Sequence, residues 1–280
     1  MGAFIIQKVL NNNVLIAEHD EFQEVVLIGK GIGFGKKKGD SISNETVEKM
    51  FVLKNALEQE QYKKLLPYID EKIIGVIADC IAHISMKVGL PLNEHIHIAL
   101  TDHITFAIKR LQQGMDIKNP FLSETEVLYP KEYEIASEVV KIIEEKLDVL
   151  LPKGEIGFIA LHIHSALTHK TISEVNRHSQ LISQLIEVVE DSLKIRLDKD
   201  SVNYLRLIRH LQSTIERIHK GEKVEEPKEV TLLLKNKYPL CYNTAWKMIK
   251  IMQQVLKKPV FEAEAAYLTI HLYRIAKTKE

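Results

Sequence analysis

The chain has 280 residues, a length that fits two domains, or three if one is small. Hydrophobic residues make up 45% and charged residues 27%, which excludes an intrinsically disordered chain. The formal net charge is zero, so no global field draws the protein to nucleic acid or membrane, and any such binding comes from a local patch.

Cys80 and Cys241 stand far apart and neither has a partner at CxxC spacing. Reduced thiols in a cytoplasmic protein are expected, with no disulfide framework. Met1 to Leu10 lacks the charged start and long apolar core of a signal peptide, and no run approaches the roughly 20 apolar residues of a membrane span. No membrane insertion is expected.

The chain opens with short apolar segments, Phe4 to Leu10, Val14 to Glu18 and Glu24 to Ile28, separated by Asn11-Asn12-Asn13 and by a polar turn from His19 to Phe22. This pattern predicts antiparallel strands joined by tight hairpins. Next, Gly29 to Gly39 alternates glycine with other residues. The stretch lacks the Gly-Lys-Ser/Thr ending of a phosphate-binding loop, and Phe34 stands where the dinucleotide fingerprint needs its third glycine. A flat, glycine-relieved strand and turn is expected instead. Val25 to Gly39 holds four lysines and no acid. Lysines neutralise phosphates, glycines permit close approach of a polynucleotide backbone, and an aromatic such as Phe34 can stack on an unpaired base. A basic hairpin with a core phenylalanine fits the same residues. A unit of about 55 residues buries too little surface to stand comfortably alone, which favours a dimer.

Lys8-Val9-Leu10-Asn11-Asn12-Asn13-Val14, followed by Val26-Leu27-Ile28-Gly29-Lys30-Gly31-Ile32-Gly33-Phe34-Gly35-Lys36-Lys37, resembles the RNA-binding domain of the BglG/SacY/LicT transcriptional antiterminators, closest to their glucose-specific branch. The resemblance implies a small four-stranded antiparallel β domain that dimerises and holds a hairpin of leader mRNA. The positions matching the family's RNA contacts are Asn13, Gly29, Lys30 and Phe34. Lys30 stands where arginine is often found, keeping the charge and losing the bidentate fork.

From Glu45 the apolar residues recur every three or four positions. Asn55 to Lys64 is polar and is expected to be a linker entering a helix, with Pro67 resetting the chain. Amphipathic helices are predicted over Glu71 to Val88, Leu92 to Gln113, Lys131 to Leu147 and Glu155 to Leu167. In the third, Ile135, Val139 and Ile142 form the buried stripe. Pro130 and Pro152 sit just ahead of helices, where a missing N–H costs little.

The helical region repeats itself. Glu155 to His164 shares its order of acid, small residue, aromatic, aliphatic run and histidine with Glu262 to His271, and His162 and His271 lie 109 positions apart. Tyr129-Pro130 is echoed by Tyr238-Pro239 at the same offset, and His103 by His210 at 107. One β module followed by two homologous all-α domains is therefore predicted, with boundaries at 1–60, 61–171 and 172–280.

The whole chain now resembles the same family, whose RNA-binding domain precedes two five-helix-bundle-like PRD domains acted on by the sugar phosphotransferase system. The family's phosphorylated histidines map onto His103 and His162 in the first domain and His210 and His271 in the second. The resemblance implies that a sugar permease's EIIB domain phosphorylates the first domain and breaks the RNA-binding homodimer, and that the carrier protein HPr acts on the second. A histidine phosphoryl acceptor needs a neutral ring nitrogen, a neighbour that sets its tautomer, and access for a donor. Asp102, Arg110, Arg209 and Arg217 are candidate neighbours.

His97 and His164 lie close to these positions, but Tyr273 stands where His164 would repeat. The His95/His97 and His162/His164 pairs are spaced i, i+2, which on a helix points them about 200° apart and rules against joint metal chelation. No metal, cofactor or catalytic residue is expected. A histidine-dependent phosphotransferase and a DNA-binding activator are the alternatives. The first lacks a nucleophile motif or nucleotide loop, and the second needs a helix-turn-helix where strands are read.

Overall fold

A computed structural model of the chain describes residues 4–52, 60–61, 64–115, 117–222 and 228–277. The expected linker over Asn55 to Lys64 therefore falls largely outside the described residues.

The N-terminal segment forms an antiparallel sheet in the order β4-β1-β2-β3-β5, built from β1 (Phe4–Val9), β2 (Val14–His19), β3 (Gln23–Ile28), β4 (Ser41–Ile42) and β5 (Lys49–Val52). Four of these strands have at least four residues, and β4 adds a two-residue edge. The β1–β2 turn is set by Asn11, whose Oδ1 accepts from the N–H of Asn13 at 3.0 Å and of Val14 at 2.7 Å. Val14 to Ala17 and Val25 to Ile28 are buried without interruption because the sheet is covered on both faces. One face packs Phe4, Ile6, Leu15, Val25 and Leu27 against Ile32 and Ile42. The other packs Val14, Ile16, Val26 and Ile28 against Leu66, Ile69, Ile74 and Ala78.

Ten helices follow among the described residues: α1 (Glu71–Val88), α2 (His95–Gln112), α3 (Leu122–Leu128), α4 (Pro130–Leu147), α5 (Lys153–Thr168), α6 (Ile172–Leu193), α7 (Val202–Lys220), α8 (Lys228–Lys237), α9 (Pro239–Leu256) and α10 (Ala263–Lys277). Their ends obey local chemistry. Asp70 caps α1 by accepting from Lys72 N–H at 2.8 Å, and Gly89 closes that helix in the left-handed conformation. Thr171 and Glu174 form a reciprocal capping box at the start of α6. The buried stripe of α4 runs through Ile135, Val139 and Ile143, with Ile142 at its margin. None of the described helices is long and apolar enough to cross a membrane.

The chain divides into two compact units. The first holds the sheet and residues up to Lys118, then Glu132–Lys170. The second holds Thr171–Glu280 together with Asn119–Lys131. The division falls between Lys170 and Thr171, and the α3 segment, which lies within residues 61–171, belongs to the second unit. The reason lies in its side chains. Thr125 and Leu128 are buried there, and so is Glu124, whose Oε1 accepts from the Tyr204 hydroxyl at 2.8 Å and the Lys199 ammonium at 3.1 Å.

Candidate functional site

Residues 29–39 do not form the expected flat strand. They wind through successive turns, with Ile32 N–H donating to the Gly29 carbonyl, Phe34 N–H to that of Gly31 and Lys36 N–H to that of Gly33. Two close approaches force this path: a Cβ on Gly29 would collide with the Thr46 carbonyl oxygen, and one on Gly33 with the Asn11 carbonyl oxygen. The Asn13 side chain accepts from Gly31 N–H, and its carbonyl accepts from Gly29 N–H at 3.0 Å. The turns drive Ile32 into the core and lift Phe34 out to 76% exposure. A core phenylalanine is thereby excluded. Asn13, Gly29 and Lys30 line one open depression, with Phe34 and the exposed Lys36, Lys37 and Lys38 following in the same loop.

The four repeated histidines meet in two pairs. In the first unit the rings of His103 on α2 and His162 on α5 lie 4.9 Å apart, with Phe158 5.7 Å from His103. In the second unit His210 on α7 and His271 on α10 lie 4.6 Å apart, with Tyr267 6.4 Å from His210. Burial, with repulsion from His103 and His95, pushes the His162 pKa down to about 3. Burial, with His271 and Arg217, does the same for His210, also to about 3. His271 is lowered by burial and then by Arg274 and Arg206. These rings are neutral at physiological pH, the state in which an imidazole carries a nucleophilic lone pair.

Each pair rests on a buried carboxylate. Glu155 and Glu264 are both only 2% exposed. Glu155 lies 2.8 Å from His103 Nε2 through one oxygen and 3.2 Å from the Arg110 guanidinium through the other. A carboxylate only accepts, so a neutral His103 carries its proton on Nε2 and keeps its lone pair on Nδ1. Glu264 instead takes a forked bond from Arg217, at 2.8 and 3.1 Å, and a bond from the Thr214 hydroxyl at 3.0 Å, which leaves His210 3.6 Å away. The position equivalent to Thr214 is Ala107 in the first unit, so no hydroxyl competes there for the carboxylate. Of the candidate neighbours, Arg110 and Arg217 reach the sites, while Asp102 and Arg209 are exposed on the same helices. His164 turns elsewhere and bonds Glu132 at 2.8 Å, and His97 is half-buried, with its pKa lowered to about 4 by desolvation.

The signature of the CAT RNA binding domain matches residues 4–60, and that of the PRD domain matches twice, over 78–166 and 183–275. The PtsGHI operon antiterminator of Bacillus subtilis (strain 168) is 65% identical over 274 residues, 98% of either chain. The chain belongs to the CAT/PRD antiterminator family. A second member, the GlcA/glcB genes antiterminator of Staphylococcus carnosus (strain TM300), is 42% identical over 282 residues, covering 100% of this chain and 98% of that one. The crystal structure of GlcT CAT-PRDI superimposes with a TM-score of 0.54 at 65% identity, over 60% of this chain and 99% of that one.

In this CAT/PRD chain the residues that sequence reasoning missed are Glu155, Glu264 and Thr214. The two acids were visible within the repeated stretches, at the same 109 offset as His162 and His271. Duplication of an acid on an otherwise apolar helix was the signal that could have found them.

Proposed function

We propose that this protein is a transcriptional antiterminator of the glucose type, which binds a leader-mRNA hairpin as a homodimer and prevents the overlapping terminator from forming. Asn13, Gly29 and Lys30 contact the RNA backbone and Phe34 stacks on an unpaired base. His103, His162, His210 and His271 receive phosphoryl groups from the sugar phosphotransferase system, through a permease EIIB domain at the first pair and HPr at the second. Each phosphoryl group adds about two negative charges to a compact, largely buried site, enough to shift an association equilibrium. The protein receives phosphate as a signal and has no reaction of its own to catalyse.

The observation that carries this reading is the pairing itself: two histidine rings tilted against each other beside a buried glutamate, built twice in one chain that also carries a basic loop with an exposed phenylalanine. The naming of the relatives for the PtsGHI operon and the GlcA/glcB genes supports a glucose-uptake operon as the target. The test is to incubate the full chain with phosphorylated EIIB domain and map the modified peptides, then to measure hairpin binding by gel shift. Label on His103 or His162 with weakened RNA binding is the expected result. Label confined to His210 and His271 would reverse the assignment of donors.

A further inference from the structure

The two histidine pairs share a frame but not a charge environment. One turn before His210 on α7, at i−4, stands Arg206, and three residues after His271 on α10 stands Arg274. Residues at these spacings share a helix face, and α7 and α10 pack together through their histidines. Both residues are exposed on the helix faces that carry the pair, while Arg217 is committed to Glu264. The equivalent positions in the first unit are Ala99, at i−4 from His103, and Ser165, at i+3 from His162. Ser165 donates its hydroxyl to the Lys170 carbonyl at 2.6 Å. The first pair thus has one arginine, Arg110, already bonded to Glu155, and none at its outer edge from these two positions.

We propose that Arg206 and Arg274 form a phosphoryl clamp at His271, so that the phosphoryl mark on the second unit is long-lived while the mark on the first is short-lived. The inference rests on the phosphorylation reading above and adds residues and a direction to it. In loading, the lone-pair nitrogen of His271 forms the N–P bond as the bond from phosphorus to a histidine or cysteine of the donor protein breaks, and the donor side chain leaves with that electron pair. The guanidiniums then meet the phosphoryl oxygens with planar, charge-assisted hydrogen bonds. In loss, water attacks phosphorus and the N–P electron pair returns to the ring, which departs readily only when its other nitrogen is protonated. Two adjacent positive charges oppose that protonation. Those same two charges act on the unmodified His271 ring. The clamp therefore slows hydrolysis both by holding the oxygens and by withholding the proton.

Phosphoramidate, which phosphorylates neutral imidazole without any protein donor, loads the full chain and its variants. Peptide mass spectrometry then follows each phosphohistidine at neutral pH over time. The mark on His271 is expected to outlast that on His103 or His162 roughly tenfold, the factor one charge-assisted hydrogen bond supplies. In R206A/R274A it should fall to the first-unit lifetime, and R206K/R274K should lie between, since lysine keeps the charge without the fork. Both arginines are exposed, and circular dichroism checks that the variants fold. Equal lifetimes in the two units, an unchanged or longer lifetime in R206A/R274A, or label on the first pair with none on His271 would each overturn the clamp. A separate arm uses phosphorylated HPr in place of phosphoramidate. If that donor labels neither pair while phosphoramidate labels both, the assignment of donors fails and the lifetimes still decide the clamp.

Discussion

Removing the Thr214 hydroxyl should hand one oxygen of Glu264 to His210 and turn the second histidine pair into a copy of the first. In the native arrangement Thr214 donates to Oε2 of Glu264 at 3.0 Å, and His210 Nε2 stands 3.6 Å from the same oxygen. In the first unit, where Ala107 occupies the equivalent position, the matching histidine-to-carboxylate distance is 2.8 Å. Thr214→Ala therefore needs only a sub-ångström shift of the ring to make the bond. A hydrogen bond to a charged group contributes about 1.5 to 3 kcal/mol, which raises the His210 pKa, now about 3, by about one to two. The proton's partner changes as well: the Thr214 hydroxyl spends its one proton on Glu264, so a neutral His210 already carries its proton on Nε2, 3.5 Å from the Thr214 oxygen, and in Thr214→Ala that N–H turns to the carboxylate. Proton–nitrogen correlation spectra of the imidazoles at neutral pH read that change directly, as a downfield shift and slower exchange of the His210 Nε2 proton, with no need to titrate into the acid range. The mirror change, Ala107→Thr, should pull Glu155 from His103, at a packing cost of about 1 to 3 kcal/mol because the site is closed. An unaltered His210 Nε2 proton signal in Thr214→Ala would refute the view that a single hydroxyl decides which histidine has a carboxylate partner.

Phe34→Ala removes a side chain exposed to 76%, so the unfolding midpoint should barely move, while a lost stacking contact of about 1 to 3 kcal/mol weakens hairpin binding by roughly 5- to 150-fold in a gel shift. Unimpaired binding would take Phe34 out of the RNA site. Gly29→Ala drives a methyl into the Thr46 carbonyl and should lower both stability, by about 1 to 3 kcal/mol in urea titration, and RNA binding. The histidines give a pH dependence with a definite sign. His162 and His210 have folded values near 3, whereas in the unfolded chain they take up protons below about 6.5. The unfolded state therefore binds more protons between those limits, and the stabilisation is complete above pH 6.5 and lost as pH falls through the window. At pH 5 the loss is about 2 kcal/mol for each ring. Chemical denaturation at pH 7 and pH 5 measures it, and His162→Gln should remove about 2 kcal/mol of the difference, the share of one ring.

The helices were legible because their periodicity is local. The prediction over Glu71 to Val88 coincides with α1, since Asp70 and Gly89 announce its ends in the sequence itself. The loop over residues 29–39 misled for the opposite reason: alternating glycines imitate the period of a strand, while its path is dictated by the carbonyls of Thr46 and Asn11, which no local pattern reveals. The histidine pairs could be found from duplication, yet their supporting acids could not be given roles. Glu155 is buried because Arg110 and His103, about 50 positions earlier, come to meet it. The allegiance of α3 was illegible too, since a seven-residue helix carries no mark of which core will receive it.

That allegiance bears on how the two regulatory copies could ever be taken apart. Deleting residues 61–170 to graft the second copy elsewhere would strip away Glu124, Thr125 and Leu128, leaving the Tyr204 hydroxyl and the Lys199 ammonium without their carboxylate. Although the repeat arose as two tandem blocks in sequence, the second is no longer a transplantable cassette. It has annexed thirteen residues of its neighbour, Asn119 to Lys131, and recombination at the obvious seam would sever a working part.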